Sequence, residues 1–131
     1  MSEQKQRSLD DYKQSYIDLF GAMPPLPLGK FDFAESIDAD FLKLAEEVRY
    51  RTFFSDDLDH KTIQLVCFAL LLNDGSPAAK HHAVAALKLG ATWAELWLMC
   101  KIASTVSGGL GPLNLGGSLL NDLNKESDNG R

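Results

Sequence analysis

The stretch from Ser76 to Thr92, SPAAKHHAVAALKLGAT, predicts one well-delimited helix that carries two adjacent histidines. Ser76 and Pro77 form a helix start signal, because serine caps free amides and proline loses no hydrogen bond at the first helical position. Gly90 is typical of a helix end. The alanines between these signals are small enough to let another helix or a small molecule approach closely.

The segments on either side of this stretch also have helical patterns. Residues 58–74, LDHKTIQLVCFALLLND, are apolar nearly all round, which is typical of a central or interfacial helix. Thr92 and Glu95 have the spacing of a capping box and open another helix, which runs to a break at residues 107–109. A last helix is predicted over 113–123.

The N-terminal part of the chain is predicted to mix helices with an extended arm. Residues 8–20 have helical apolar spacing, whereas the three prolines in residues 21–31, GAMPPLPLGKF, predict an ordered, non-helical arm. Residues 38–54 form a further helix. The predicted apolar face of that helix consists of Phe41, Leu42, Leu44, Ala45 and Val48.

These elements predict an all-α fold, a compact bundle of about six helices. Residues 1–35 form the N-terminal helix and the proline-rich arm, residues 36–124 the main helical domain, and residues 125–131 a disordered tail. Residues 1–7 are also predicted to be disordered.

Composition narrows the class of protein. The 131 residues are 45% hydrophobic with a formal charge of -5, and the absence of a basic cluster argues against a nucleic-acid partner. The longest apolar runs are too short to span a bilayer, so we predict no membrane partner. Cys67 and Cys100 lie in separate apolar segments, which fits thiols in a reducing compartment. We expect a cytoplasmic protein.

The two histidines face different directions on the predicted helix. At about 100° per residue, His82 shares a face with alanines, whereas His81 turns toward Lys88. Periodicity leaves open whether His82 is catalytic or a core residue satisfied by a backbone carbonyl. His81 is most simply a surface residue, and we keep it as a candidate for substrate binding. The spacings His-x-x-x-His and Glu-x-x-His are both absent, so we predict no metal site.

An ordered series of motifs runs through roughly residues 40–120. Its members are Leu58, Asp59, Lys61 and Thr62, then His82, Ala85, Ala86, Leu87, Gly90, Ala91, Thr92 and Glu95, and finally Gly108, Gly109 and Pro112. This series resembles the carboxymuconolactone decarboxylase family, which includes the alkylhydroperoxidase D-like proteins. The resemblance implies an alkylhydroperoxidase D-like fold over residues 36–124. It also implies a homo-oligomer, a trimer or hexamer, with active sites near subunit contacts.

The sequence departs from the peroxidase branch of that family. In that branch a C-x-x-C pair begins the histidine helix, and a glutamate on the preceding helix relays protons through the histidine. Here residues 76–79 are Ser-Pro-Ala-Ala, and Gln64 stands at the glutamate position. Without a thiolate pair, no nucleophile reduces a peroxide and no partner resolves the product. We therefore disfavour thiol peroxidase activity.

The decarboxylase branch also lacks the cysteines. The resemblance implies decarboxylation without a cofactor, or a related proton transfer, on a small unsaturated lactone or carboxylic acid, as in the catabolism of aromatic compounds. We predict His82 as the acid or base, with Gln64 as an uncharged donor that orients the substrate or holds the imidazole tautomer. Arg49 and Arg51 are candidates to bind a substrate carboxylate.

Two other functions stay open. The same pocket could catalyse isomerisation or ring opening, because family membership does not fix the reaction. Alternatively, the chain is a non-enzymatic helical oligomer that binds a small ligand or a protein partner, with His82 structural. An acidic partner beside Arg49, or a sealed core around His82, would favour this second alternative.

Overall fold

The computed structural model describes residues 6–129, which form seven α-helices and a π-helical turn. The helices are α1 (Leu9–Phe20), α2 (Pro25–Ile37), α3 (Ala39–Phe53), α4 (His60–Asn73), α5 (Ala79–Lys88), α6 (Trp93–Ala103) and α7 (Leu110–Asn129), with the π-helical turn at Ser104–Gly108. The all-α prediction is therefore confirmed, with seven helices in place of about six. The chain divides into two units, Met1–Asp56 and Asp57–Arg131.

The N-terminal unit builds a small core from α1, α2 and α3. One cluster of buried side chains in it consists of Tyr12, Tyr16, Phe31 and Leu42. Ser8 caps α1 in a capping box with Asp11, which satisfies amides that the first turn leaves without partners. Gly21 ends the helix at φ +87°, a conformation that glycine adopts without strain.

The three prolines begin α2 instead of preventing a helix. Pro24 is the N-cap residue, and Pro25 and Pro27 occupy the first turn. Amides in the first turn have no acceptor within the helix, so a proline there loses no hydrogen bond. The first helical bond runs from the Leu28 amide to the Pro24 carbonyl at 3.0 Å. The prediction of an extended arm over residues 21–31 is therefore wrong from Pro25 onward.

The buried face of α3 differs from the apolar face that the sequence predicted. Leu42 and Glu46 are buried, whereas Phe41, Leu44 and Val48 are 65–68% exposed. Glu46 is held inside by cationic and hydroxyl partners from α1, α2 and α3 itself, so the side of the helix that carries Leu42 and Glu46 turns inward. Of the predicted apolar face, only Leu42 is buried, so the prediction is wrong for its other members.

In the C-terminal unit, α4 packs against α5, α6 and α7. Its buried side chains are Gln64, Leu65, Phe68 and Leu72. These contacts confirm that the apolar helix α4 is central in this unit. They also place a polar side chain, Gln64, inside an otherwise apolar core.

Local signals fix most helix ends in this unit. The Asp59 side chain caps α4 by accepting from the Thr62 amide at 2.8 Å. Thr92 and Glu95 form the predicted capping box at the start of α6. Gly90, at φ +99°, follows the end of α5 as expected.

Three boundaries differ from the prediction. Ser76 caps a turn by accepting from the Ala78 amide at 3.2 Å, so α5 begins only at Ala79. The last helix is longer than residues 113–123 and includes 125–129, where we predicted disorder. Arg7, also predicted to be disordered, forms an ion pair with Glu47. The remaining parts of both predictions, residues 1–5 and 130–131, lie outside the described range.

Within residues 6–129, no helix combines the length and the apolar character that crossing a membrane requires.

Candidate functional site

The packing of α5 against α4 brings His82 and Gln64 together. His82 Nδ1 lies 2.7 Å from Gln64 Oε1, and Gln64 is fully buried while His82 is half-buried. Because an amide oxygen only accepts, Nδ1 donates this hydrogen bond. The lone pair of the neutral imidazole then lies on Nε2. The pair therefore sets a tautomer in which Nε2 is the basic atom.

The nitrogen of the Gln64 side-chain amide, unlike its oxygen, is without a bonding partner within residues 6–129. Gln64 Nε2 is buried and has no hydrogen-bond partner among the described residues. A buried donor in this state costs about 1–3 kcal/mol. Gln64 therefore uses its oxygen on His82 and keeps an unused donor next to the imidazole.

The other two histidines of the chain lie near this pair in sequence. His81 is half-buried on α5 and is the neighbour of His82 along the chain. His60 is the first residue of α4 and lines an open cleft of about 440 Å³ together with Lys61 and Leu89. Lys61 forms an ion pair with Glu95 at 3.0 Å, a partnership that sequence spacing did not indicate.

Arg49 belongs to a buried polar cluster in the N-terminal unit. Its Nε donates to Glu46 Oε2 at 2.8 Å, its Nη2 donates to Ser15 Oγ, and its guanidinium lies 3.7 Å from the centre of the Tyr16 ring. Glu46 also accepts from the Tyr16 hydroxyl at 3.0 Å and from Lys30 Nζ. Arg49 therefore has an acidic partner, Glu46. This is one of the two observations that favour the non-enzymatic alternative.

The charge state of Glu46 follows from these contacts. Burial disfavours the ionised carboxylate, but the hydrogen bonds from Lys30 and Arg49 outweigh burial and lower the pKa of Glu46 below its ordinary value. Glu46 is only 1% exposed, so the cluster is an ion network inside the core of this unit.

Arg51 is also paired with a glutamate of α3. Its Nε donates to Glu47 Oε2 at 2.7 Å, and Glu47 further accepts from Arg7 and from the Tyr12 hydroxyl. The hydrogen bond from Arg51 is the main reason why the pKa of Glu47 falls to about 2. The Arg51 side chain remains 65% exposed, and with Lys43 it lines an open cleft of about 470 Å³.

Two of the predicted site residues contact each other in the structure, and the two arginines have other partners. His82 and Gln64 form one hydrogen-bonded pair in the C-terminal unit. Arg49 and Arg51 are each engaged by a glutamate within the N-terminal unit. The sequence missed the burial of Glu46 because its partner Lys30 lies 16 residues away, in a segment predicted to be extended.

The two cysteines have the properties of buried thiols. Burial raises the pKa of Cys67, and it raises the pKa of the fully buried Cys100 to about 11. Both are free cysteines on different helices. At neutral pH they are protonated, and a protonated thiol is a poor nucleophile. Among residues 6–129, no group of three histidine, cysteine or acidic side chains is arranged to hold a metal ion.

Comparison with known proteins identifies the family of the chain. A family model described as the Carboxymuconolactone decarboxylase family matches residues 39–110, more than half of the chain. The match begins at α3 and ends at the first residue of α7, so it includes Gln64 and His82. Comparisons with curated proteins and with solved structures gave no significant match. The chain therefore belongs to the carboxymuconolactone decarboxylase family.

Proposed function

We propose that the protein is an enzyme that decarboxylates, or transfers a proton on, a small unsaturated lactone or carboxylic acid without a cofactor. One observation carries this proposal: the 2.7 Å hydrogen bond between His82 Nδ1 and the buried Gln64 amide. It gives a titrating group a fixed tautomer while leaving His82 only half-buried. A histidine in this state suits general acid or base catalysis.

In the proposed reaction the substrate loses carbon dioxide and gains one proton. The bond between the ring carbon and the carboxylate carbon breaks, carbon dioxide leaves, and the electron pair passes into the conjugated carbonyl to give a dienolate. Imidazolium at His82 then delivers a proton to carbon, which forms the new C–H bond and returns neutral histidine. Solvent restores the proton to His82.

Gln64 is proposed to act in two ways. Its oxygen holds His82 in one orientation, and its buried Nε2 is a donor suited to the developing negative charge on a dienolate oxygen. Because the amide is uncharged, it does not compete for the proton. His81, Arg49 and Arg51 stay candidates for substrate binding. Of the two arginines, Arg51 has the more exposed side chain, 65% against 14%.

The test of this proposal is a screen of unsaturated lactone acids. Substrate loss is followed by ultraviolet absorbance, because decarboxylation changes the conjugated system, and carbon dioxide release is measured in the same samples. We expect turnover of at least one such compound by the wild-type protein. Turnover of none, with folded protein, would contradict the enzymatic proposal.

A second candidate function is a non-enzymatic helical oligomer that binds a small ligand or a protein partner. The ion pair between Arg49 and Glu46 favours it, since a paired arginine needs no substrate. The half-buried state of His82 favours the enzyme instead, because a purely structural histidine is better sealed. Binding of a lactone acid without turnover would support this second function.

We expect the protein to associate with copies of itself. Several apolar side chains of the C-terminal unit are 41–62% exposed, namely Val66, Leu70, Trp97, Leu98 and Ile102. Exposed apolar surface of this kind marks interaction sites. We predict a homo-oligomer, a trimer or hexamer, by light scattering at micromolar concentration. A mass of 14.4 kDa, that of one chain, would contradict the prediction.

Loss of both thiols is expected to leave the reaction intact. Cys67→Ser combined with Cys100→Ser removes groups that are protonated at neutral pH and take no part in the proposed proton transfer. Turnover per folded molecule should equal that of the wild type, although the buried Cys100 site can lower the melting temperature. Abolished turnover in a folded double variant would instead indicate thiol chemistry.

We further propose that the protein acts in the cytoplasm on a small-molecule substrate, in the catabolism of aromatic compounds, with neither nucleic acid nor membrane as a partner.

A further inference from the structure

The N-terminal unit exposes two apolar stripes that its own core does not use. On α3 the stripe has the helical spacing i, i+3 and i+7, and on α2 the spacing is i, i+7 and i+11. The six side chains are 65–86% exposed, namely Phe41, Leu44 and Val48 on α3 and Leu26, Phe33 and Ile37 on α2.

The exposure of the α3 stripe does not come from an incomplete core. Leu42 and Glu46 already bind the other side of α3 to its neighbours, through the aromatic core and through the ion network. Rotating α3 to bury Leu44 would take Glu46 away from Lys30 of α2 and from the Tyr16 hydroxyl of α1. The N-terminal unit therefore does not need the α3 stripe for its own packing.

The amount of exposed apolar surface matches a protein interface. Six large apolar side chains exposed to this extent present on the order of 600–800 Å², close to the roughly 800 Å² that each partner contributes to a stable interface. The largest apolar patches on typical monomers are about 300–600 Å². A surface of this size calls for a partner.

We infer that the partner is a second copy of this chain, seated on the α3 stripe with α2 beside it. An identical copy brings the same helical spacing, and an isologous contact, which a hexamer of two trimers contains, pairs a stripe with itself. Glu47, which flanks the stripe, is already paired with Arg7 and Arg51, so the contact does not bring unpaired glutamates together. A lipid surface is disfavoured, because membrane-binding helices are rich in lysine and arginine whereas this chain has a formal charge of -5.

This inference rests on the proposed self-association and assigns to it one contact, on the N-terminal unit. It is tested with two matched pairs of exposed residues. Leu44→Asp with Val48→Asp places charges on the α3 stripe, where the native side chains are both 68% exposed. Leu110→Asp with Val106→Asp makes the same changes at residues that are 73% and 77% exposed outside the N-terminal unit.

Light scattering over a concentration series gives the outcome. We expect the α3 variant to associate at least roughly 100-fold more weakly than the wild type, because a charge buried in a contact without a partner is strongly unfavourable. The control variant should keep the wild-type mass. A monomeric wild type would overturn both the self-association and its location. An oligomeric wild type with an unchanged α3 variant, or with both variants dissociated, would overturn the location alone.

A second measurement covers the case in which the α3 variant loses its helical circular dichroism. Leu44→Cys is made in the Cys67→Ser, Cys100→Ser background, and its reaction with a thiol reagent is timed at several protein concentrations. We expect the reaction to slow at least tenfold as concentration rises and the contact forms. A rate that is the same at all concentrations would overturn the inference.

Discussion

Replacing His82 with glutamine is expected to lower turnover of the lactone-acid substrate by about 10²- to 10⁴-fold, the usual contribution of general acid–base catalysis. Glutamine keeps much of the volume and the hydrogen-bonding capacity of histidine but has no titrating group. It can still bond to the Gln64 amide, so the contact between α4 and α5 should survive. The loss should therefore appear in turnover more than in stability.

His81→Gln is the matched control for this variant. His81 is the neighbouring residue on α5 and, like His82, is half-buried. We expect its kcat to stay within a fewfold of the wild type, and any loss of substrate binding to appear in KM. Thermal unfolding is measured for both variants, because a histidine held only for structure would also lower activity by unfolding the protein. Normal turnover of folded His82→Gln would contradict the catalytic role.

Replacing Glu46 with glutamine is expected to lower the free energy of unfolding by about 3 kcal/mol. Removing one partner of a buried ion pair typically costs 3–5 kcal/mol. We expect the lower end, because Lys30 keeps 45% of its side chain exposed and can be hydrated, whereas Arg49, at 14%, cannot. Urea unfolding of the full chain measures the difference.

Glu35→Gln serves as the control for Glu46→Gln. Glu35 pairs with Lys13 on the surface, and exposed pairs contribute about 0.2–1 kcal/mol. The effect of Glu46→Gln also depends on pH. Since folding lowers the pKa of Glu46, its contribution is complete above the ordinary value of 4.5 and is lost as pH falls below it. Equal effects of the two variants at neutral pH would contradict a buried network.

Much of the C-terminal unit could be predicted from local signals. The Thr92 and Glu95 capping box, the glycine after α5 and the apolar character of α4 are short-range features, and the structure confirms each of them. Such features depend on hydrogen bonds within a few residues, so a single sequence contains them.

The N-terminal unit was harder to predict because its decisive interactions are long-range. The prolines of α2 fit a first helical turn as well as an extended arm, and only packing selects between these conformations. The apolar stripe on α3 would normally mark the core, yet the buried Glu46 overrides it. The partners of Glu46 come from α1 and α2, which no periodicity in α3 reveals.

The candidate site was predictable in part. Gln64 and His82 are 18 residues apart, and the family resemblance, not their spacing, indicated that they belong together. The pairing of Arg49 with Glu46 and of Lys61 with Glu95 could not be derived from the sequence, because each charge has several possible partners in an acidic chain.

Chemical rescue of His82→Ala by imidazole tests the proposed proton transfer most directly. Alanine opens a space at a half-buried position where a small base can take the place of the lost ring. We predict that turnover of the variant is lower by about 10²-fold or more without additive, rises with imidazole concentration, and varies among substituted imidazoles with their pKa values. Turnover at the wild-type rate without imidazole, or turnover that imidazole does not change, would contradict the role of His82 as the acid or base.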